Sequence, residues 1–355
     1  MRIAIVGFSG CGKSACFKAI TQKSKEETDT LDPTKSHLGT VKITDPRLEK
    51  LKTVFNPKKV TRAEMIFEDL PGFHIPQIKE AEALMEVLGI FQDRDPVKDI
   101  EEMDTEFMLA DLEIINKRLP GLEKEIRQEK SREKELERQA IIRCKDFLEN
   151  GKPLRGLELA DEEKKEIRGY QFLSRKPVFI LGNIDEGRRP QEVPSSTAKN
   201  IDREGRPGEA VNKMKTFCGE RNIKCLEFCA KLEAEIADLE ESERDVFLKE
   251  MGLEKRAHEA VIELAYEALG YITFFTVKGP ETRAWPVARG ITAIEAAGRI
   301  HSDIEKGFIK AEVVSFNDLA ASGSLAEARK KALLKLEGKE YKIQDGDIID
   351  FRFSV

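Results

Sequence analysis

MRIAIVGFSGCGKSACFKAI, residues 1–20, carries the reading that decides the fold. RIAIV, residues 2–6, is a short apolar run that ends at a glycine, as a buried strand does. Gly7, four further residues, Gly12, Lys13 and Ser14 follow. Glycines at that spacing let the backbone curl until its N–H groups face a phosphate. The loop opens a helix from about Gly12 to Thr21, and the helix dipole favours negative charge there. The pattern assigns phosphate contact to Gly7, Ser9, Gly10, Cys11, Gly12, Lys13, Ser14 and Ala15. Lys13 reaches the β- and γ-phosphates, and the Ser14 hydroxyl coordinates Mg²⁺. A match set between a first strand and a helix is a nucleotide loop rather than a chance glycine turn.

The whole chain bounds what that loop can serve. Its 355 residues are enough for two or three domains. With 35% charged residues and a net charge of -6, it has a charged surface but no general basic field for nucleic acid, so any RNA contact needs a local patch. No run approaches the length of a membrane span. A cleavable signal peptide would remove the phosphate loop, so none is expected. The cysteines are Cys11, Cys16, Cys144, Cys218, Cys225 and Cys229. No CxxC pair and no His cluster accompany them, which argues against zinc and for a reducing cytoplasm.

Further strands are expected at VKIT (41–44), AEMIFEDL (63–70), VLGIF (87–91), KPVFILGN (176–183) and near Lys224 to Phe228. From Asp104 to Gly151 the texture turns to Glu, Lys, Arg and Leu. Apolar residues recur at helical spacing through Leu109, Leu112, Ile115, Leu119, Leu122 and Ile126. Pro120 interrupts or kinks that helix. A second helix breaks near Asn150 to Pro153, and a third starts with Asp161 as N-cap. Residues 104–173 therefore read as an antiparallel helical arm inserted into an α/β nucleotide domain, residues 1–103 and 174–271, whose sheet is mostly parallel. Residues 187–209 are Pro/Gly/Ser-rich and read as a loop; residues 231–269 read as helical. Residues 272–355 read as a compact α+β module: strands in ITFFTVKG, KAEVVSF, YKIQ and DIIDFRF around a helix near Ile294 to His301.

Three more motifs belong to the site. EDLPG (68–72) has the form Asp-x-x-Gly at a strand end, which sets Asp69 beside the Mg²⁺ and the Gly72 amide at the γ-phosphate. LGNIDEG (181–187) occupies the place of the Asn-Lys-x-Asp sequence that reads guanine. Asn183 keeps the first position, Ile184 replaces Lys, and Glu186 replaces the closing Asp. The longer Glu displaces the carboxylate that would take two bonds from guanine, so strict guanine selectivity is not expected. Cys229, Ala230 and Lys231, opening CAKLEAEI, can flank the base. Lys13 and Asp69 support phosphoryl transfer, but the sequence assigns no catalytic acid or base.

At these residues the chain resembles the YchF-type branch of the Obg-related P-loop NTPases. TDPRLEKL (44–51), NPKKV (56–60), DPVKDIE (95–101) and LADLEIINKRL (109–119) share the likeness. So do KPVFILGNIDE, CAKLEAEI and the run from Thr273 to Leu319. The tail LEGKEYKIQDGDIIDFRFSV (336–355) resembles that family's TGS module, a β-grasp-like fold. The resemblance implies a P-loop domain, a coiled-coil arm and a C-terminal TGS domain. It also implies preference for ATP over GTP through Asn-x-x-Glu, slow hydrolysis, ribosome association and, in some members, ties to stress and redox responses. Thr30 would match the family's Mg²⁺-sensing Thr. One departure stands out. After Gly72 the family carries a Gly-rich run with a His implicated in hydrolysis, whereas here FHIPQIKEAEALMEV follows and the segment is shorter. His74 does not take that role and reads as a surface residue.

Two functions follow from different classes. One is a slow ATPase that switches a surface for a ribosomal partner. The other is a nucleotide-dependent binding protein with little turnover, motivated by the shortened segment. A GTP-preferring divergent GTPase is the variant in which Glu186 still reads guanine. A P-loop kinase acting on a small molecule is disfavoured, because no lid-like Arg cluster accompanies a second site. For RNA the C-terminal module offers Lys278, Arg283, Trp285, Arg289, Lys306 and Lys310. Cys11 inside the loop is a small space-filling residue first and an oxidation target second.

Overall fold

The computed structural model describes residues 1–22, 35–91, 94–185, 207–240, 243–244, 246–247, 256–278 and 280–354. The chain forms two compact units. One holds Met1–Gly39 and Ile66–Ala268, the other Thr40–Met65 and Leu269–Val355.

The first unit is built on a six-stranded sheet. Its strands are β1 (Arg2–Val6), β2 (His37–Lys42), β4 (Glu64–Asp69), β5 (Ala83–Gly89), β6 (Val178–Asn183) and β7 (Lys224–Phe228), in the order β2-β4-β1-β5-β6-β7. From β4 through β7 every neighbour runs parallel. β5 and β6 are buried at every position. That is the expected burial for parallel strands with helices on both faces. Ligands of such sheets bind outside the strands' carboxyl ends. The phosphate loop, Asp69, Asn183 and Cys229 all stand at those ends.

The arm begins earlier than the composition suggests. Helix α4 (Pro96–Gln128) starts at Asp95-Pro96, not Asp104. Asp95 accepts the Val97 amide at 3.0 Å, and Pro96 takes the first helical position, where its missing N–H costs nothing. Pro120 does not break the helix. A proline inside a helix costs about 3 kcal/mol. Ile115 and Leu122, fully buried on either side of it, pack with Ala140, Ile141 and Cys144 of α5 (Arg132–Glu149). Each such burial contributes about 1.5–3 kcal/mol, so two offset the proline. Arg118 ties the arm together, donating to Glu125 at 2.6 Å, Glu137 at 3.0 Å and the Tyr170 hydroxyl at 3.1 Å. Asp161 is the first residue of α6 (Asp161–Ile167) rather than its cap. Ala160 holds the cap position, and Glu163 reaches back to its amide at 2.8 Å.

The second unit is a mixed sheet between two helical layers. Strands β3 (Lys59–Thr61), β8 (Tyr271–Lys278), β9 (Glu281–Ala288), β10 (Phe308–Ser315), β11 (Lys335–Glu337) and β12 (Asp347–Phe353) follow the order β11-β10-β12-β8-β9-β3. On one face α10 (Ala293–Ile300) and α11 (Ser302–Lys306) cover Phe274, Ala311, Val313, Ile349 and Phe351. On the other, α2 (Pro46–Phe55), α12 (Phe316–Ser322) and α13 (Leu325–Lys330) cover Phe275, Ala284, Val314 and Ile348. Residues 40–65, which sequence reading placed in the nucleotide domain, supply α2 and β3 to this unit. The cause is pairing and packing: β3 runs parallel to β9, and Leu48 and Leu51 are buried against Phe275.

Other expectations shift too. β2 ends at Lys42, so VKIT is only half strand. YKIQ forms no strand; it holds one isolated bridge, Thr292 to Lys342, and the Ala293 amide donates to the Tyr341 carbonyl at 2.8 Å beside it. β9 was not foreseen, because Pro286 disguises it as a loop. Among the described residues, the helix expected over 231–269 is broken at Leu239, where the chain turns extended: α8 (Ala230–Asp238) ends there, residues 243–244 and 246–247 are helical, and α9 (Ala257–Ala268) follows.

Asp111, fully buried on α4, accepts the amides of Leu173 at 2.8 Å and Ser174 at 2.9 Å and the Ser174 hydroxyl at 2.7 Å. It fastens the returning chain to the arm. Each buried donor left without a partner costs about 1–3 kcal/mol. Asp111→Ala therefore lowers unfolding free energy by about 2–4 kcal/mol in urea titration, and Asp111→Asn by less. An unchanged midpoint would contradict this anchor.

Candidate nucleotide-binding site

The loop has the shape its glycines predict. Gly7, Gly10 and Gly12 take φ of 145°, 81° and 95°. A Cβ on Gly7 would lie 2.5 Å from the Val87 carbonyl oxygen, and one on Gly12 would lie 2.2 Å from Asn183 Nδ2. Helix α1 (Lys13–Thr21) has Gly12 as N-cap, no capping side chain and no acidic residue in its first turn. Its first amides are left for an anion. Ser9, Gly10, Ser14 and Ala15 are exposed along this mouth.

Lys13 folds back onto the loop. Its Nζ donates to the carbonyls of Gly7 at 2.8 Å and Phe8 at 3.1 Å. Cys11 is 3% exposed, and burial pushes its thiol up against the opposing charge of Lys13. That supports the space-filling reading and not an activated thiolate.

Asp69, 6% exposed, ends β4 beside Ser14. Burial raises its pKa, while the Ser14 hydroxyl donates to the carboxylate and Lys13 opposes the shift. Oδ1 of Asp69 is buried with no hydrogen-bond partner among the described residues. A buried, unsatisfied carboxylate oxygen next to a serine hydroxyl is a fitting pair of hard oxygen donors for Mg²⁺. Thr30, the third expected magnesium residue, lies outside the described residues. Gly72 is exposed at φ 82°, a conformation that favours glycine. His74 is exposed and caps the short helix α3 (Ile75–Glu80) with no side-chain hydrogen bond to it, in keeping with a surface role.

The base side is organised by Asn183. It is 5% exposed; Nδ2 donates to the Cys11 carbonyl at 3.1 Å, and Oδ1 accepts the Ala230 amide at 3.2 Å. One side chain thus joins the phosphate loop to the turn before α8. Ile184 and Cys229 are 3% and 1% exposed and belong to the core with Leu88, Ile90 and Ile180, so their side chains serve packing. Lys231 is exposed in the first turn of α8. Glu186 lies outside the described residues.

Three residues escaped the sequence reading. Glu86, 1% exposed in β5, stands opposite Val6 and Ile180. Burial pushes its carboxyl well up; Asp104 and Asp99 add to the shift, and Arg155 opposes it. Its only signal is one acid inside the apolar run ALMEVLG. Glu233, 2% exposed on α8, accepts the Ala257 amide at 2.8 Å and pairs with Arg256 at 3.4 Å. Burial pushes its carboxyl up, yet His258, the Ala257 amide and Arg256 outweigh that and hold it below the usual range. Phe73, directly after Gly72, stacks on Phe107 of α4 with centroids 5.5 Å apart. No spacing rule points to that contact.

A strand, glycine loop and helix followed by a strand-end Asp at the hydroxyl of Ser14, on a parallel sheet, define a P-loop NTPase. The family is given by comparison. A family model, YchF-GTPase_C, described as "Protein of unknown function (DUF933)", matches residues 271–354. A Bacillus subtilis protein named ribosome-binding ATPase YchF is 34% identical over 99% of this chain and 98% of its own length. The Escherichia coli O157:H7 protein of the same name is 31% identical over 100% of this chain and 99% of its own. The solved Schizosaccharomyces pombe YchF GTPase has the same fold, with a TM-score of 0.77 at 23% identity, covering 99% of this chain and 97% of that one. The chain belongs to the YchF family.

Two outcomes test the site. Asn183→Ala leaves the Ala230 amide and the Cys11 carbonyl without their partner, so calorimetry should show nucleotide affinity weakened by about tenfold or more. Glu86 gives a pH signature. In the unfolded chain it titrates near about 4.3; the folded value is raised. Below the unfolded value it contributes nothing. As pH rises above it, the unfolded state gains ionisation that the folded state resists, and stability falls. The melting temperature of Glu86→Gln should therefore gain on the wild type as pH rises above the unfolded-state value.

Proposed function

We propose that this chain is an ATP-preferring, Mg²⁺-dependent P-loop NTPase with slow turnover, working in the cytoplasm as a nucleotide-dependent switch on the ribosome. The observation that carries the reading is the assembly at the strand ends, where Asn183 locks the phosphate loop to the base-side turn. The relatives named ribosome-binding ATPase support the partner and the nucleotide.

The chain's own groups divide the work. The amides of residues 9–15 cradle the phosphates, and Lys13 exchanges its two carbonyl partners for phosphate oxygens. Ser14 and Asp69 would hold Mg²⁺, which would supply neutralisation of the phosphate charge. The Gly72 amide senses the γ-phosphate. On the base side, Ile184 is buried where guanine readers carry Lys. This favours adenine held by backbone groups of Asn183 to Lys231 and by Glu186. Slow turnover follows from the sequence after Gly72, which lacks the family's Gly-rich run and its His. The arm and the C-terminal TGS unit would present the switched surface and contact RNA.

The same shortened segment favours a second reading, a nucleotide-dependent binding protein with almost no hydrolysis. Calorimetry with non-hydrolysable ATP and GTP analogues and Mg²⁺ separates the nucleotide readings: ATP should bind tighter, and tighter GTP would make the chain a divergent GTPase. Turnover separates the rest. Wild-type hydrolysis above that of Lys13→Ala, raised further by ribosomes, is the expected result. Equal turnover by the two proteins would leave only the binding reading.

A further inference from the structure

On the face of the second unit covered by α10 and α11, the helices pack against the β10–β12 half of the sheet. Ile272, Phe274 and Val287 of β8 and β9 are buried in the same cluster, while Thr276, Arg283 and Trp285 toward the far end of that hairpin are only partly buried. Beside it lies a cavity of about 240 Å³, with Thr276, Glu281, Arg283, Trp285 and Asp350 among its lining and Ile300 and Ile304 as an apolar wall. That volume is below the range of pockets for drug-sized ligands and suits one small ring system.

Its chemistry narrows the occupant. The Arg283 guanidinium lies over the Trp285 ring, 4.0 Å from its centroid, making a flat stacked floor. The Trp285 Nε1–H donates to the Thr276 hydroxyl at 2.9 Å, which leaves that hydroxyl's own proton to donate outward. Glu281 is braced by the Thr61 hydroxyl and by Lys59 at 3.3 Å. The carboxylate of Asp350 faces the other side of the sheet, the side of Ile348, where Arg352 lies at 3.3 Å. The Glu281 carboxylate repels a bare phosphate at the cavity mouth, but it accepts from ring N–H and amino groups. A flat floor, an apolar wall, an acceptor and a donor describe a nucleobase. Only an unpaired base can bring both its face and its edge into so small a space.

We propose that this cavity binds a single unpaired base of a single-stranded RNA, stacked on the Arg283–Trp285 pair, with an amino group on Glu281. The biological partner rests on the ribosome reading above; the pocket itself does not.

Trp285 is the one tryptophan in the chain, so its emission reports this site alone. The full-length protein, saturated with Mg²⁺ and ADP, is titrated with short single-stranded oligoribonucleotides and with a duplex of the same length. A saturable change with single strands and not with duplex is expected. Arg283→Gln and Thr276→Val, each with an unchanged melting temperature, should weaken it by about tenfold, the loss of one stacking or edge contact. Equal responses to duplex or to inorganic polyphosphate, or no response, would overturn the pocket. Ribosome co-sedimentation of wild type and Arg283→Gln keeps the two readings apart. Ribosome binding without an oligonucleotide response overturns the pocket alone. An oligonucleotide response without ribosome binding upholds the pocket and overturns the ribosome reading.

Discussion

The site depends on one buried side chain spanning two elements that are far apart in sequence. Asn183 holds the Cys11 carbonyl with its amide nitrogen and the Ala230 amide with its oxygen. Both partners are backbone groups, so the bridge fixes the course of the chain and not merely a side chain. It can form only because Gly12 lacks a Cβ, which would lie 2.2 Å from the Asn183 nitrogen. The phosphate loop and the base-side turn are therefore one construction, and a change in either is felt in the other.

Charge is arranged around that construction with different degrees of compensation. Glu233 has an amide and two basic partners and stays ionised although buried. Glu86, equally buried, faces two acids and one Arg and is pushed toward neutrality. Asp69 lies between them. It has Ser14 and the charge of Lys13, but one oxygen is unsatisfied. A buried carboxylate with a missing partner is unfavourable by itself, and a divalent cation beside a phosphate is the natural compensation. Lys13, whose charge bears on Asp69, rests on two carbonyls.

Phe73 gives the nucleotide site a physical route to the arm. It follows Gly72 directly and stacks on Phe107, which is buried in the cluster that also holds Leu70, Ile78 and Met103. A shift of the Gly72 amide would disturb a ring contact on α4, not only a loop. That contact is made by the residue directly after Gly72.

The sequence by itself determined the phosphate loop, the strand-end Asp69, the helical arm and the family. Each is written in local spacing: glycines in a loop, an acid two residues before Pro71-Gly72, apolar residues every third or fourth position. It could also have given the true start of α4, since Asp95-Pro96 is a local capping signal. Only the tertiary structure decided that Asn183 is a bridge, that Ile184 and Cys229 are core, that Glu86 and Glu233 sit in opposite electrostatic surroundings, and that residues 40–65 pack with the C-terminal unit. These facts depend on which backbone groups meet across long separations. No local period encodes such meetings, because burial, pairing and pKa arise from neighbours that the chain brings together only when it folds.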